Sequence, residues 1–164
     1  MKTLMLLRHA KSSWKDSDVA DHDRPLNKRG KKAAPQMGRL LSKEGLVPEL
    51  ILSSTAVRTR ETAEAVAKAS SYKGPIELLD TLYLAMAGKL LSEAQSHTPD
   101  SVGRLLLVGH NPGMEDLVEI LSGKREAFPT AALAVFKVGI EGWKALELGV
   151  EAKLVKVYRP KEIK

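Results

Sequence analysis

The chain has 164 residues, 43% of them hydrophobic and 28% charged, which is typical of one soluble domain with a substantial core. It contains no cysteine, which excludes disulfides, thiolate nucleophiles, Cys-based zinc sites and iron–sulfur clusters. The net charge is +6, but aromatic residues make up only 4% and no nucleic-acid motif is present, so we expect a solvated cationic surface that attracts anionic substrates and binds no nucleic acid.

No apolar run is long enough to predict a membrane helix. The first apolar stretch, Leu4 to Leu7, stops at Arg8 and is too short for the apolar region of a signal peptide. A spanning helix needs about twenty apolar residues, and no segment approaches that length. We therefore expect no membrane association and a cytoplasmic location.

Strands and helices are predicted to alternate along the first two thirds of the chain. Buried strands are indicated by short apolar runs, and helices by apolar residues three and four positions apart. The predicted strands are Leu4–Leu7, Leu50–Leu52, Ile76–Leu79 and Leu105–Val108. The predicted helices are about Lys28–Lys43, Val57–Ser70, part of Leu82–Ser96 (clearest from Lys89), and Met114–Leu121.

The last third of the chain changes to the two-residue period of strands. Three strands are predicted there, at Ala132–Val138, Trp143–Gly149 and Leu154–Tyr158. No linker or internal repeat divides the chain. The order of elements predicts one domain over residues 1–164, a three-layer α/β/α fold with a mostly parallel central sheet.

Polar side chains follow three of the predicted strands. Arg8 and His9 end the first strand, Arg58 comes just after the second, and His110 comes just after the fourth. These residues could simply cap strands in solvent. However, the carboxyl ends of parallel strands share one edge of a sheet, so the four side chains can converge there. Guanidinium groups bind phosphate oxygens in a bidentate manner, and a neutral imidazole can attack phosphorus.

Four segments resemble, in order, the motifs of the histidine phosphatase superfamily. They are Leu7-Arg8-His9-Ala10, Arg24-Pro25-Leu26-Asn27-Lys28-Arg29-Gly30, the stretch Ser54–Ala63, and Val108-Gly109-His110-Asn111-Pro112. The resemblance implies a phosphoglycerate mutase-like fold. It also implies that His9 is the nucleophile, that Arg8 and Arg58 bind the transferring phosphoryl group, and that His110 completes the pocket. Among short members, the chain looks most like the SixA-type phosphohistidine phosphatases, which act on phosphotransfer domains in signalling.

Two departures from the family pattern affect the expected chemistry. Ala10 replaces the usual glycine, a change that we expect the site to tolerate. The candidate general acids are Asp80, Asp21 and Asp23. Each could equally be a surface carboxylate, so the sequence does not single out one acid. A phosphoramidate substrate would explain a missing acid, since its leaving nitrogen needs less protonation than an alkoxide.

Three further residues are candidate substrate contacts. Trp14 follows the first motif and either lines the substrate entrance or packs at its rim. Thr130 and Ala131 are placed near the phosphate by family resemblance alone. His22 and His97 stand in polar surroundings, where surface roles are expected.

The sequence predicts a metal-independent phosphatase without a cofactor, acting in two steps through phosphorylated His9. The expected substrate is phosphohistidine on a histidine-containing phosphotransfer protein. A small phosphate ester is the alternative substrate. A catalytically silent module that binds phosphate remains as a third hypothesis.

Overall fold

The computed structural model describes residues 1–163. Its strands are β1 (Lys2–Arg8), β2 (Leu50–Ser54), β3 (Ile76–Leu79), β4 (Arg104–Gly109), β5 (Leu133–Val138) and β6 (Ala152–Tyr158). Its α-helices are α1 (Lys28–Lys43), α2 (Val57–Ser70), α3 (Ala87–His97) and α4 (Gly113–Ser122). Short 3₁₀ turns cover Asp21–Asp23, Asp80–Leu82, Trp143–Ala145 and Pro160–Glu162.

The six strands form one sheet in the order β3-β2-β4-β1-β5-β6. The first four are parallel, whereas β5 and β6 are antiparallel to their neighbours. Parallel β1 and β4 lie side by side, with Arg8 opposite Gly109, so the residues that follow both strands emerge together. The predicted three-layer fold with a mostly parallel sheet is confirmed.

Successive side chains of β1 point to opposite faces of the sheet and pack into two separate cores. Met5 and Leu7 face a core that includes residues of α1 and α2, whereas Leu4 and Leu6 face a core that includes residues of α3 and α4. A strand that is buried on both faces reads as a continuous apolar run, which is why the sequence predicts it well. Among the described residues, no helix is long and apolar enough to cross a membrane.

The predicted strand at Trp143–Gly149 is wrong. Trp143 begins a 3₁₀ turn, is fully buried, and donates its indole N–H to the carbonyl of Val102 at 2.7 Å. Leu146, three residues later, is buried on the same side. These two side chains anchor the segment to the core, and their spacing of three residues fits a 3₁₀ turn rather than the two-residue period of a strand.

The helix predicted in part of Leu82–Ser96 is confirmed, and it occupies the second part of that range. Leu82 closes the turn Asp80–Leu82, and α3 begins at Ala87. Leu84 lies between them with a φ of 52°, a left-handed conformation that ends any helix at this point. This break leaves Leu84 exposed near the cleft described below.

The start of α1 is locked to the loop after β1. The Asn27 side chain accepts a hydrogen bond from the Gly30 N–H at 2.9 Å and caps the helix. The Asn27 N–H donates to the carbonyl of Lys11 at 3.0 Å. A β-carbon at Gly30 would lie only 2.1 Å from that carbonyl oxygen, so only glycine fits. The Asn27 and Gly30 positions thus hold the segment that follows His9.

We expect Gly30→Ala to destabilise the fold by about 1–3 kcal/mol, because the added methyl group must displace a backbone carbonyl. Gly88→Ala is the matched control, since Gly88 lies in α3 with nothing within 4 Å of an added β-carbon. Gly88→Ala should stabilise by about 0.5–1 kcal/mol through helix propensity. Urea unfolding measures both. Equal effects would contradict the close contact at Gly30.

Candidate active site

The four predicted strand-end residues line one cleft at the carboxyl edge of the sheet. Arg8, His9, Arg58 and His110 all face a space of about 290 Å³. The rings of His9 and His110 stand 5.3 Å apart between their centroids. His9, Arg58 and His110 are each more than nine-tenths buried. The topology therefore brings together two imidazoles and two guanidinium groups from the end of β1, the start of α2 and the segment after β4.

The His9 ring is held as a neutral tautomer with one free nitrogen. Its Nδ1 lies 2.8 Å from the carbonyl oxygen of Ala10, which can only accept, so Nδ1 carries the hydrogen. Burial lowers the pKa of His9 to about 4 against the opposing effect of that hydrogen bond, and the nearby cations Arg58, Arg8 and Arg24 lower it further. Nε2 therefore holds an unprotonated lone pair near neutral pH, as a nucleophile requires.

Thr62 connects the His9 loop to the helix that carries Arg58. Its hydroxyl accepts the N–H of Ala10 at 3.0 Å and donates to the carbonyl of Arg58 at 2.7 Å. Both bonds are buried, so they fix the backbone of Ala10 relative to α2. The loop that carries His9 and the helix turn that carries Arg58 are thereby positioned by one side chain.

His110 is also neutral, and its tautomer follows from its neighbours. Arg58 can only donate, and its Nη2 lies 3.4 Å from His110 Nδ1. Nε2 therefore carries the hydrogen and donates to the Ser54 hydroxyl at 2.8 Å. Burial is the main cause that lowers the pKa of His110 to about 3, followed by His9 and Arg58.

Arg8 and Arg58 each retain an N–H donor that is not used within residues 1–163. Arg8 Nη1 donates to the carbonyl of Phe128 at 3.2 Å, and burial lowers the pKa of Arg8. Within the described part of the chain, the buried Nε atoms of Arg8 and Arg58 have no hydrogen-bond partner. Buried donors without partners are uncommon in proteins. An anion in the cleft would lie beside both guanidinium groups.

Asp21 lies in the cleft wall as the partner of two arginines. Its Oδ1 accepts from Arg24 Nη2 at 3.0 Å, and its Oδ2 accepts from Arg58 Nη2 at 3.1 Å and from the Tyr83 hydroxyl. Its carbonyl oxygen accepts from Arg58 Nη1 at 2.7 Å. The hydrogen bond from Tyr83 and those from the two arginines hold the pKa of Asp21 well below its usual range. Asp21 thus has no proton to give and instead orients Arg58.

The other two candidate acids do not line the cleft. Asp23 is exposed and pairs with His22 at 3.5 Å. Asp80 accepts a hydrogen bond from the Thr55 hydroxyl at 2.6 Å. Asp21 is the one carboxylate among the described cleft residues, and it is ionised. No cluster of three or more His, Asp or Glu suited to a metal occurs within residues 1–163.

Of the three candidate substrate contacts, two line the cleft and one does not. Trp14 stands at the rim with 75% of its surface exposed, and the Arg24 guanidinium lies 3.5 Å from its ring centre. Thr130 is part of the wall. Ala131 is fully buried, and its N–H donates to the carbonyls of Arg8 and His9, so it has no donor left for a phosphate.

Sequence reasoning did not assign a role to several residues of the site. The main ones are Ser12, Arg24, Ser54, Tyr83 and Asn111. Arg24 carried a signal, since it opens the segment that caps α1. Its Nη1 donates to the Ser12 hydroxyl at 2.7 Å and it is buried, although charged residues preceding a helix are usually solvated.

His22 lies partly at the surface, as expected, but its side chain also contacts residues of the site. His22 is half-buried, and its Nε2 lies 2.9 Å from the Thr55 hydroxyl. Its ring packs edge-on against Tyr83 at 4.8 Å, and Tyr83 packs against His110 at 5.4 Å. His22 therefore supports the tyrosine that holds Asp21. His97 lies at the end of α3 and pairs with Glu93 at 2.9 Å.

The neutral imidazole rings of His9 and His110 predict how the stability of the fold depends on pH. Because the pKa values of His9 and His110 are lowered to about 4 and about 3, both rings should remain neutral from about pH 5 to pH 8. The unfolded chain binds these protons more readily, so the free energy of unfolding should decrease as the pH falls from about 6.5 towards 4. Ring NMR signals that titrate near pH 6.5 would contradict this.

The profile of the histidine phosphatase superfamily (branch 1) matches residues 4–132. An uncharacterised chloroplastic protein of Arabidopsis thaliana is 36% identical over 151 residues, covering 87% of this chain and 69% of its own length. An uncharacterised protein of Mycobacterium tuberculosis is 33% identical over 157 residues, covering 89% of this chain and 95% of its own. The chain belongs to the histidine phosphatase superfamily.

Solved structures agree with this assignment. A candidate phosphohistidine phosphatase SixA from Agrobacterium tumefaciens has a TM-score of 0.80 at 33% identity, covering 97% of this chain and 98% of its own. The protein histidine phosphatase SixA in complex with tungstate has a TM-score of 0.83 at 22% identity, covering 99% of both chains, and shares the fold. Family and neighbours together support a phosphatase, a hydrolase, on this fold.

Proposed function

We propose that the chain is a metal-independent phosphohistidine phosphatase that acts through a covalent phosphohistidine at His9. The observation that carries the proposal is the neutral His9 ring, whose Nδ1–H is tied to Ala10 while Nε2 keeps its lone pair beside two arginines. The SixA-named neighbour at 33% identity supports the same substrate class.

In the first step, His9 Nε2 attacks phosphorus and the bond from phosphorus to the leaving group breaks. Arg8 and Arg58 neutralise charge on the equatorial oxygens, a contribution that needs no proton transfer. The leaving group takes the bonding electron pair and must gain a proton. The leaving imidazole takes that proton from solvent at the open cleft, because Asp21 is ionised and His110 Nδ1 accepts a hydrogen bond from Arg58.

In the second step, water attacks the phosphorus on His9 and the phosphorus–Nε2 bond breaks. The bonding electron pair returns to Nε2 as its lone pair, which restores the starting enzyme. The water proton leaves with inorganic phosphate or passes to solvent. The Ala10 carbonyl holds Nδ1–H throughout, so the ring keeps one orientation in both steps.

The carboxylate pattern favours a phosphoramidate substrate over an ester. Asp21 is the one carboxylate among the described cleft residues, and its two arginines and Tyr83 keep it ionised. A site without a protonated carboxyl suits a leaving imidazole nitrogen, which accepts a proton far more readily than an alkoxide does. Trp14 and Leu84, both exposed at the rim, give the cleft an apolar edge for a protein surface.

The test compares kcat/KM for a histidine-phosphorylated phosphotransfer protein with kcat/KM for an aryl phosphate, both in chelator. We expect a preference for the phosphoprotein of about a hundredfold or more, because binding energy from the protein surface adds to that from the phosphoryl group. Equal or faster turnover of the ester would replace the substrate proposal with a small-molecule phosphatase. Absence of turnover of either substrate would leave a phosphate-binding module.

A further inference from the structure

A second groove adjoins the catalytic cleft. It encloses about 520 Å³ between the start of α1, the loop before β5 and the end of the described chain. Lys11 and Thr130 line both the groove and the cleft, so the two spaces are continuous. Lys11 is two residues from His9, and a chain segment leaving the cleft on this side would enter the groove.

The groove carries uncompensated positive charge. It is lined by Lys11, Arg29 and Lys161, and none of these three forms an ion pair with any residue among 1–163. Glu162 also lines the groove and pairs with Arg159 at 3.5 Å, while Arg159 pairs in addition with Glu126 at 3.0 Å. Three exposed cations therefore remain available to an anionic partner.

The positive charge continues along α1 beyond the groove. This helix has no Asp or Glu over its whole length. Lys32, Arg39 and Lys43 line a shallow depression beside it, and with Arg29 they recur at intervals of three, seven and four residues. Residues at such intervals lie on one helix face. We name the set Lys11, Arg29, Lys32, Arg39, Lys43 and Lys161 the basic strip.

We propose that the basic strip is the docking surface for an acidic segment of the phosphoprotein substrate, which lies in the groove while its phosphorylated side chain occupies the cleft. This inference rests on the proposed function, and it names the class of partner. Charge complementarity supports it, since a strip of unpaired cations attracts acidic side chains and speeds encounter.

A polypeptide fits the groove better than a nucleic acid does. Single-stranded nucleic acid is held by aromatic side chains on which bases stack, and none of the nine residues that line the groove is aromatic. The apolar part of the lining consists instead of Ala33, Pro129 and Pro160, small surfaces suited to aliphatic side chains of a peptide.

The test uses the double variant Arg29→Glu/Lys161→Glu, which reverses two exposed charges without touching the catalytic cleft. A glutamate at position 29 stands in the first turn of α1, where negative charge is favourable. The matched control is Lys73→Glu/Lys144→Glu, with the same charge change at exposed positions after the far end of α2 and in the turn Trp143–Ala145.

We expect kcat/KM for an acidic histidine-phosphorylated protein to fall about tenfold or more in the groove variant and to change less than about twofold in the control. Turnover of the aryl phosphate should stay within about twofold in both, because a small substrate does not reach the groove. Equal losses of phosphoprotein turnover in the two double variants would show that net charge alone matters, and would overturn the docking site.

A binding measurement separates this proposal from the proposed function. A fluorescein-labelled peptide of alternating Glu and Ser residues should bind the wild-type chain at low salt and bind the groove variant about tenfold more weakly. This result would support the groove as a docking site for an acidic segment even if no phosphohistidine protein is turned over. Unchanged peptide binding, or selective loss of single-stranded DNA binding instead, would refute an acidic protein partner.

Discussion

Replacing His9 with alanine should lower kcat by about four to six orders of magnitude, the size of effect seen when a covalent nucleophile is removed. The reason is geometric: among the described residues, the cleft offers one other imidazole, and His110 uses Nε2 to donate to Ser54 and Nδ1 to accept from Arg58. It therefore has no free lone pair with which to replace His9.

His9→Asn is the second variant to test, because it keeps a donor that can reach the Ala10 carbonyl while removing the ring nitrogen that attacks. It should be as inactive as His9→Ala with smaller disturbance of the loop. Steady-state turnover of the phosphoprotein, alongside thermal unfolding, separates chemistry from folding. Wild-type turnover by either folded variant would exclude His9 as the nucleophile.

Replacing Arg58 with alanine should lower kcat by about two to four orders of magnitude, since it removes a preorganised cation from the charge that develops on the phosphoryl oxygens. The same change leaves Asp21 without one of its two arginines. An unneutralised carboxylate in the cleft wall repels the substrate dianion, so KM should rise as well. Arg58→Lys should recover little, because one ammonium cannot bridge the Asp21 carboxylate, its carbonyl and His110.

Arg60→Ala is the control on the same helix. Arg60 lies two residues further along α2 and pairs with Glu64 at 3.3 Å on the exposed surface. Such pairs contribute about 0.3–0.5 kcal/mol, so stability and turnover should both remain near wild type. Comparable losses in Arg58→Ala and Arg60→Ala would indicate damage to the helix and would contradict the assigned role of Arg58.

The sequence predicted the strands and helices whose burial and capping are set by residues close together in the chain. The strand before Arg8 is buried on both faces, and α1 is marked by Asn27 at its cap and by its apolar stripe, so the predicted bounds of α1 are correct. Trp143 misled the prediction because its burial depends on Val102, a contact across the fold that no local period records.

Some residues of the candidate site could likewise be predicted from the local sequence, whereas others could not. Arg8 ends β1, His9 follows it and His110 follows β4, and the rule that parallel strand ends share an edge places them together. Asp21 and Tyr83 could not be placed, because their contact joins residues sixty-two positions apart. Their effect on Arg58 arises only from the folded loops. The catalytic roles assigned to all these residues remain predictions.

The most direct measurement is to trap the intermediate. The enzyme is mixed with substrate labelled with ³²P on its phosphoryl group, quenched in alkali within milliseconds, and digested for peptide mapping. The account predicts label on the peptide that contains His9, stable in alkali and lost in acid, as expected for phosphohistidine. Label that is absent from this peptide while turnover proceeds, or that survives acid, would contradict covalent catalysis at His9.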